Sequence, residues 1–274
     1  MYFQHLHSII TGGSSGIGQA TAQLLAKEGS NITIIARDPK KLEAAKHELK
    51  KLCKSPEQKI LALAADVSDR ISIEQAITKA IAQIGLPDIL VTSAGIAHPD
   101  YFQNLSIDVF EKTMAVNYFG TLYCLKAVLP EMEKRKKGHI IVLSSGAGLI
   151  GIYGYSAYSP SKFAIRGLAE SLRGELKLSG INLSIVYPPD TDTPQLKQEN
   201  KTKPPETKAI TATAKIWSAE EVGQAILQGI KRNSFIITPG SEMSILAKIH
   251  SLFLPLLNQY FDKTVAKVRA NKNQ

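Results

Sequence analysis

Tyr158 and Lys162 stand four residues apart in the stretch YSPSK. At that spacing two side chains share one face of a helix, and Pro160 is no obstacle, because a helix tolerates proline in its first turn. A lysine cation beside a phenol stabilises the phenolate and lowers its pKa, which would suit the tyrosine to exchanging a proton near neutrality. Ser144 and Ser145 close the apolar run HIIVLSS just upstream, and a serine at the end of a neighbouring strand can hydrogen-bond the same substrate oxygen. Taken alone, a Tyr-x-x-x-Lys spacing is common and establishes little.

A second constellation lies near the N-terminus. Thr11-Gly12-Gly13-Ser14-Ser15-Gly16-Ile17-Gly18 separates the strand-like run HSIIT from an amphipathic stretch. Glycine is needed where backbone must approach a pyrophosphate closely, and a helix N-terminus adds unpaired N–H groups and the positive end of its dipole. The spacing is T-G-x-x-x-G-x-G rather than the commoner G-x-G-x-x-G, but its place at the start of a strand–helix unit predicts a dinucleotide site. The end of the second strand selects the dinucleotide: an acid binds a ribose 2′-hydroxyl, whereas an arginine accommodates a 2′-phosphate. Arg37 stands there and favours NADP(H), with Ser14 and Ser15 as helpers; Asp38, next in sequence, either pairs locally or caps the following helix.

Such residues need elements to hold them, and these alternate regularly. Apolar runs at 7–11, 31–36, 59–65, 88–95, 139–145, 182–187 and 234–238 read as buried strands. Between them, 16–28, 39–52, 71–84, 107–136, 158–179 and 219–231 read as helices. This alternation predicts an α/β fold, a single-domain Rossmann-type doubly wound parallel sheet of about seven strands with helices on both faces. That domain would span 1–241. Residues 194–217, polar and interrupted by Pro204-Pro205, break the rhythm and are expected to form a substrate lid or a disordered loop. Ser218-Ala219-Glu220-Glu221 reads as a capping box.

Residues 242–274 form an amphipathic, basic helical extension. Ile245, Leu246, Ile249, Leu252, Phe253, Leu256, Leu257 and Tyr260 recur at helical spacing, with Pro255 expected to break the run. The stripe suits packing on its own domain or on another subunit, or peripheral contact of 243–269 with an anionic membrane, given Lys263, Lys267 and Arg269; it is a poor spanning segment. The formal charge of +9 is uneven: residues 196–274 carry 12 basic and 6 acidic side chains, the preceding 195 residues 21 and 18. A basic C-terminal third suits a polyanion or is solubility charge, but no basic–aromatic interleaving supports nucleic acid. Cys53 and Cys124 lack metal-ligand spacing, so neither a disulfide framework nor a metal site is expected, and the compartment reads as reducing. With no signal-peptide pattern in MYFQHLHSIITGG, the expected location is cytoplasmic, with peripheral membrane contact left open.

In this order, the glycine loop, Asn117 in MAVNYFG, Ser145, Tyr158 and Lys162 resemble the short-chain dehydrogenase/reductase superfamily from about Ser8 to Arg232. The resemblance implies an NADP-dependent oxidoreductase in which Tyr158 is the general acid/base and Ser145 orients the carbonyl. It implies that Lys162 holds the nicotinamide ribose and tunes Tyr158, and that Asn117 places a proton-relaying water. Asp66 and Val67 would border the adenine, and Ala94 and Gly95 the adenosine ribose. Pro188, Thr191 and Thr193 would hold the nicotinamide carboxamide, although Pro189 replaces the usual glycine. Thr92 departs from the usual Asn-Asn-Ala-Gly, which puts local hydrogen bonding there in question. A homodimer or homotetramer through 107–136 and 158–179 is also implied.

PPDTDTP (188–194), ENKTKPPET (199–207) and YSPSKFAIRGLAESL (158–172) further resemble the 3-ketodihydrosphingosine reductases within that superfamily. That implies a hydrophobic sphingoid ketone as substrate; the alternative is a generic carbonyl reductase acting on a 3-ketoacyl thioester, a steroid or another hydrophobic ketone. Eukaryotic members are anchored in the endoplasmic reticulum membrane, an implication not carried over to a chain whose N-terminus shows no spanning pattern. Asp190 and Asp192 either meet the substrate ammonium or serve locally, with Asp192 and Thr193 capping a helix that Pro194 begins.

Overall fold

The computed structural model describes residues 2–212 and 214–272. The β-branched apolar runs become strands: β1 (His7–Thr11), β2 (Asn31–Ala36), β3 (Ile60–Ala64), β4 (Ile89–Thr92), β5 (Gly138–Leu143), β6 (Ile181–Val186) and the short β7 (Ile236–Ile237). All pair in parallel in the order β3-β2-β1-β4-β5-β6-β7. Burial on both faces explains why these strands read as continuous apolar runs. Successive residues face opposite layers: Ile9 joins one core and Ile10 the other. Strand order reverses between β1 and β4, where Thr11 lies opposite Ile35 on one side and Thr92 on the other. A sheet of this kind binds ligands in the crevice beyond the carboxyl ends of its strands at that switch point.

Helices α1 (Gly16–Lys27), α2 (Pro39–Lys51), α3 (Arg70–Ile84) and α6 (Tyr158–Leu178) fall within a residue or two of the predicted spans, and the single span predicted over 107–136 is α4 (Ile107–Met114) and α5 (Gly120–Arg135) joined by a π-helical turn. Helices α3, α5 and α6 cover one face through Ile73, Cys124, Val128 and Ile165. The other face is covered by α1 and α2, through Leu25 and Leu42, together with a later helix, Ala219–Lys231, through Ile226. Asp38 takes the capping role: its side chain accepts from Lys40 N at 2.9 Å and Lys41 N at 3.2 Å.

The described residues of the segment expected as a lid or disordered loop are folded. α7 (Pro194–Thr202) and α8 (Pro205–Thr211) follow one another, and Thr191–Asp192 pairs in parallel with Trp217–Ser218. Thr193 Oγ1 accepts from Leu196 N at 3.2 Å, and both helices begin with proline, whose missing N–H costs nothing there. The segment is anchored by burial, since Leu196, Glu199, Lys203, Glu206, Thr207 and Ile210 are all inside. Ser218 and Glu221 form the capping box of α9 (Ala219–Lys231).

α10 (Gly240–Lys272) corrects the break expected at Pro255, because it runs straight through that residue. Its start is held by Met243, Leu246 and Ala247 on the core, and Arg166 Nη1 lies 2.9 Å from His250 Nε2. Near its end, Arg269 bonds the Tyr153 hydroxyl at 2.9 Å and Glu206 at 3.4 Å. Two anchored ends maintain a helix across one lost hydrogen bond. Between them Leu252, Phe253, Leu256 and Tyr260 are exposed. Among the described residues no helix is long and apolar enough to cross a membrane.

Candidate active site

The cleft at the switch point is floored by backbone. Gly12 (φ 67°) and Gly16 (φ 56°) lie in the left-handed region that favours glycine. A Cβ on Gly12 would come 2.8 Å from Ala94 N, and one on Gly18 2.5 Å from Gly12 O, so neither position accepts a side chain without movement. Ser15 caps no backbone group of α1 with its hydroxyl, and Ser14, Ser15, Gly16 and Ile17 line the cleft where the first N–H groups of α1 point. A bare backbone turn ahead of a twelve-residue helix fits a pyrophosphate.

Around this floor the cleft brings together Gly12, Arg37, Val67, Ala94, Gly95, Tyr158, Lys162, Pro188, Thr191 and Thr193. Arg37 and Lys41 stand at the β2 end. Gly18 and Asp66 lie behind the lining: Gly18 permits close packing of the loop, and Asp66 accepts from Ser68 N at 2.9 Å and Ser68 Oγ at 2.7 Å. Thr92 resolves the hydrogen bonding in question, because its hydroxyl donates to Ile141 O on β5 at 3.4 Å.

Asn117 is buried in a π-helical turn, Ala115–Phe119, between α4 and α5. Its Oδ1 accepts from Ile96 N at 2.9 Å, and its Nδ2 donates to Ile96 O at 3.0 Å and Ser161 Oγ at 2.9 Å. Those bonds clamp the loop after β4 to α6. Ser144 Oγ donates to Lys162 O at 2.9 Å and ties the β5 end to the same helix.

Tyr158 and Lys162 both lie inside, with Lys162 Nζ 5.6 Å from the Tyr158 ring centroid and donating to Leu143 O at 3.0 Å. Burial, followed by the charge of Glu199, pushes the Tyr158 phenol above its ordinary pKa, against hydrogen bonds from Ser145 and Gln195 that pull it down. The lowering expected from Lys162 does not appear: burial dominates, and the phenol holds its proton. Lys162 itself is pushed down to about 8 by burial, with Glu199 opposing.

Residues of the 194–211 segment add side chains to the cleft lining. Tyr155 donates from its hydroxyl to Glu199 Oε2 at 2.6 Å, and Gln195 Nε2 donates to Glu199 Oε1 at 2.9 Å. Asp190 pairs with the buried Lys203 at 3.6 Å, whereas Asp192 points to solvent and pairs with Lys197 at 3.2 Å. The helix cap belongs to Thr193 alone. Leu143, Ala147, Ile152 and Leu196 add an apolar lining.

The profile described as short chain dehydrogenase matches residues 7–204. The chain belongs to the short chain dehydrogenase family. Like the family, it is an oxidoreductase acting on a ketone or the corresponding alcohol. It is 42% identical over 244 residues to a 3-dehydrosphinganine reductase of Danio rerio, covering 89% of this chain and 74% of the relative. A 3-ketodihydrosphingosine reductase of Dictyostelium discoideum is 40% identical over 276 residues, with 96% and 83% covered. Among solved structures, levodione reductase superposes with a TM-score of 0.79 at 25% identity, covering 86% of this chain and 96% of that one.

For a short chain dehydrogenase, the sequence motifs mark the floor of the cleft well and its 194–211 lining poorly. No chemical motif marks Tyr155, Gln195 or Glu199: Glu199 lies in a polar stretch, and nothing in its own spacing shows that it turns inward.

Proposed function

We propose that this short chain dehydrogenase reduces a 3-keto sphingoid base, 3-ketodihydrosphingosine, to its alcohol with NADPH. The similarity over 244 residues to reductases named for that ketone carries the substrate reading. The β2 end carries the cofactor reading: Arg37 and Lys41 line it as cations, while the Asp38 carboxylate that could receive a 2′-hydroxyl is committed to the α2 cap. When bound, the nicotinamide supplies the hydride. Gly12, Ser14, Ser15, Gly16 and Ile17 take the pyrophosphate; Val67, Ala94 and Gly95 border the adenosine; Pro188, Thr191 and Thr193 flank the nicotinamide. Gly18 and Asp66 support this floor from behind.

Ser145 and Tyr158 bond the ketone oxygen and place its carbon toward the nicotinamide. Tyr158, kept protonated by burial, gives its proton to the oxygen as charge develops there. Lys162 sits behind the phenol as a cation able to stabilise the phenolate left behind. Asn117 holds the loop after β4 against α6, so the cofactor wall and the acid keep their spacing.

The test is consumption of NADPH and of NADH with 3-ketodihydrosphingosine, a short 3-ketoacyl thioester and a keto-steroid. Turnover of the sphingoid ketone with NADPH above all others supports the reading. No turnover of that ketone, with turnover of another, replaces it by a generic carbonyl reductase. The exposed apolar face of α10, with Lys248 and Lys263 on the same helix, is further proposed to rest on anionic lipid; flotation with phosphatidylserine vesicles, lost in a Leu252→Asp, Phe253→Asp chain, checks it.

A further inference from the structure

In the cleft that Tyr158 lines there is a carboxylate with no ion-pair partner among the described residues. Glu199 is 8% exposed. Its two oxygens receive neutral donors, the Tyr155 hydroxyl and the Gln195 amide. Among the described residues no lysine or arginine is within ion-pair distance of it, and Lys203, just past the end of α7, is paired with Asp190 instead. Lys162 acts on that charge only through space and spends its own bond on Leu143 O. A buried charge bonded by neutral groups alone is costly to the fold, and a cleft is where such a charge has a ligand to meet.

Tyr155 places that charge relative to the chemistry. Its hydroxyl donates to Glu199 and its ring centroid lies 5.6 Å from that of Tyr158, and Glu199, Gln195 and Tyr158 line one cleft, so carboxylate and acid face the same bound ligand. In an N–C–C=O unit the nitrogen lies about 3 Å from the carbonyl oxygen. A ketone bonded to Tyr158 therefore carries an α-amino group into reach of Glu199.

We propose that Glu199 receives the α-ammonium group of the substrate and so selects α-amino ketones over plain ketones. The inference rests on the sphingoid-ketone reading and names its recognition residue. Neither aspartate of the 188–194 stretch serves: Asp192 is outside the cleft, and Asp190 has Lys203. Pairing also has a chemical consequence. The Glu199 charge helps hold the proton on Tyr158, and a substrate cation would cancel that charge and make Tyr158 a readier acid once the correct ketone is in place.

The experiment compares kcat/KM for 3-ketodihydrosphingosine and for 1-hydroxyoctadecan-3-one, which lacks only the amino group, in the wild type and in Glu199→Gln. Glutamine keeps the size of the side chain and an acceptor for Tyr155. The expected result is a preference of about 100-fold for the amino ketone in the wild type, lost in Glu199→Gln through a fall on the amino ketone, with the plain ketone unchanged or reduced faster as the charge near Tyr158 is removed. Equal losses on both ketones, as a purely structural role gives, or no loss on either, overturn the inference. Should Glu199→Gln fail to bind cofactor, the wild type alone decides: a preference below about tenfold overturns it. A wild type that reduces both ketones equally sinks this inference and leaves the reductase. One that reduces neither sinks the substrate reading and the inference together.

Discussion

The two walls of the cleft are built from different materials. The floor is backbone: a glycine turn, a helix N-terminus and strand ends, with the nearest atoms set by positive φ values and by the absence of Cβ atoms. The other wall, from the segment after β6 that was expected as a lid, is side chain: Glu199, Lys203, Glu206 and Thr207 are buried in a segment with few apolar residues, each held by a partner distant in sequence. Backbone geometry suits a ligand part common to many enzymes, such as a dinucleotide. Long side chains, which can be exchanged one at a time, suit the part that differs. The floor should therefore govern cofactor affinity and the other wall the ketone.

The largest effect tests the point where the walls meet. Tyr158→Phe removes the proton donor and keeps the ring, and kcat should fall by about a thousandfold while cofactor affinity by titration is unchanged. On the floor, Gly18→Ala forces a methyl within 2.5 Å of Gly12 O; a penalty of about 2 kcal/mol weakens cofactor binding about thirtyfold, read as a dissociation constant. Comparable loss of ketone KM with intact cofactor binding would break the division. At the β2 end, Arg37→Ala should shift the NADPH-to-NADH ratio of kcat/KM by about thirtyfold toward NADH.

The pH profile follows from the two buried groups. Burial depresses Lys162 to about 8, so the free enzyme carries that cation below about pH 8 and loses it above. Tyr158, pushed upward, stays protonated throughout the same range. Reduction measured as kcat/KM should be level below pH 8 and fall by about tenfold per unit beyond it. The smallest change belongs to the side-chain wall. Thr207 Oγ1 donates to Tyr153 O at 2.9 Å, and Thr207→Val should cost about 1 kcal/mol, raising KM for the ketone several-fold while leaving the cofactor dissociation constant as it was.

The same division governs what could be read from the chain. β1 and β2 coincide with their predicted runs, and α9 begins at its capping box, because periodicity and local turn chemistry are written in neighbouring residues. The glycine loop, Arg37, Tyr158 and Lys162 belong to the same kind of signal. Residues 194–217 did not, because a polar helix buried by hydrogen bonds and ion pairs has the composition of a loop. Pro255 misled for a related reason: its local cost was plain, while the anchors at Met243 and Arg269 that outweigh it lie turns away. The direction of the Tyr158 shift also needed the structure, since the lysine neighbour was visible in the sequence and the depth of burial was not.

The most direct test is a crystal structure of the chain with NADP+ and dihydrosphingosine. The account predicts the pyrophosphate at the N-terminus of α1, the 2′-phosphate on Arg37, and the product 3-hydroxyl within hydrogen-bond distance of Tyr158 and Ser145 beneath α7. A 2′-phosphate away from Arg37, or a 3-hydroxyl that does not reach Tyr158, would contradict it.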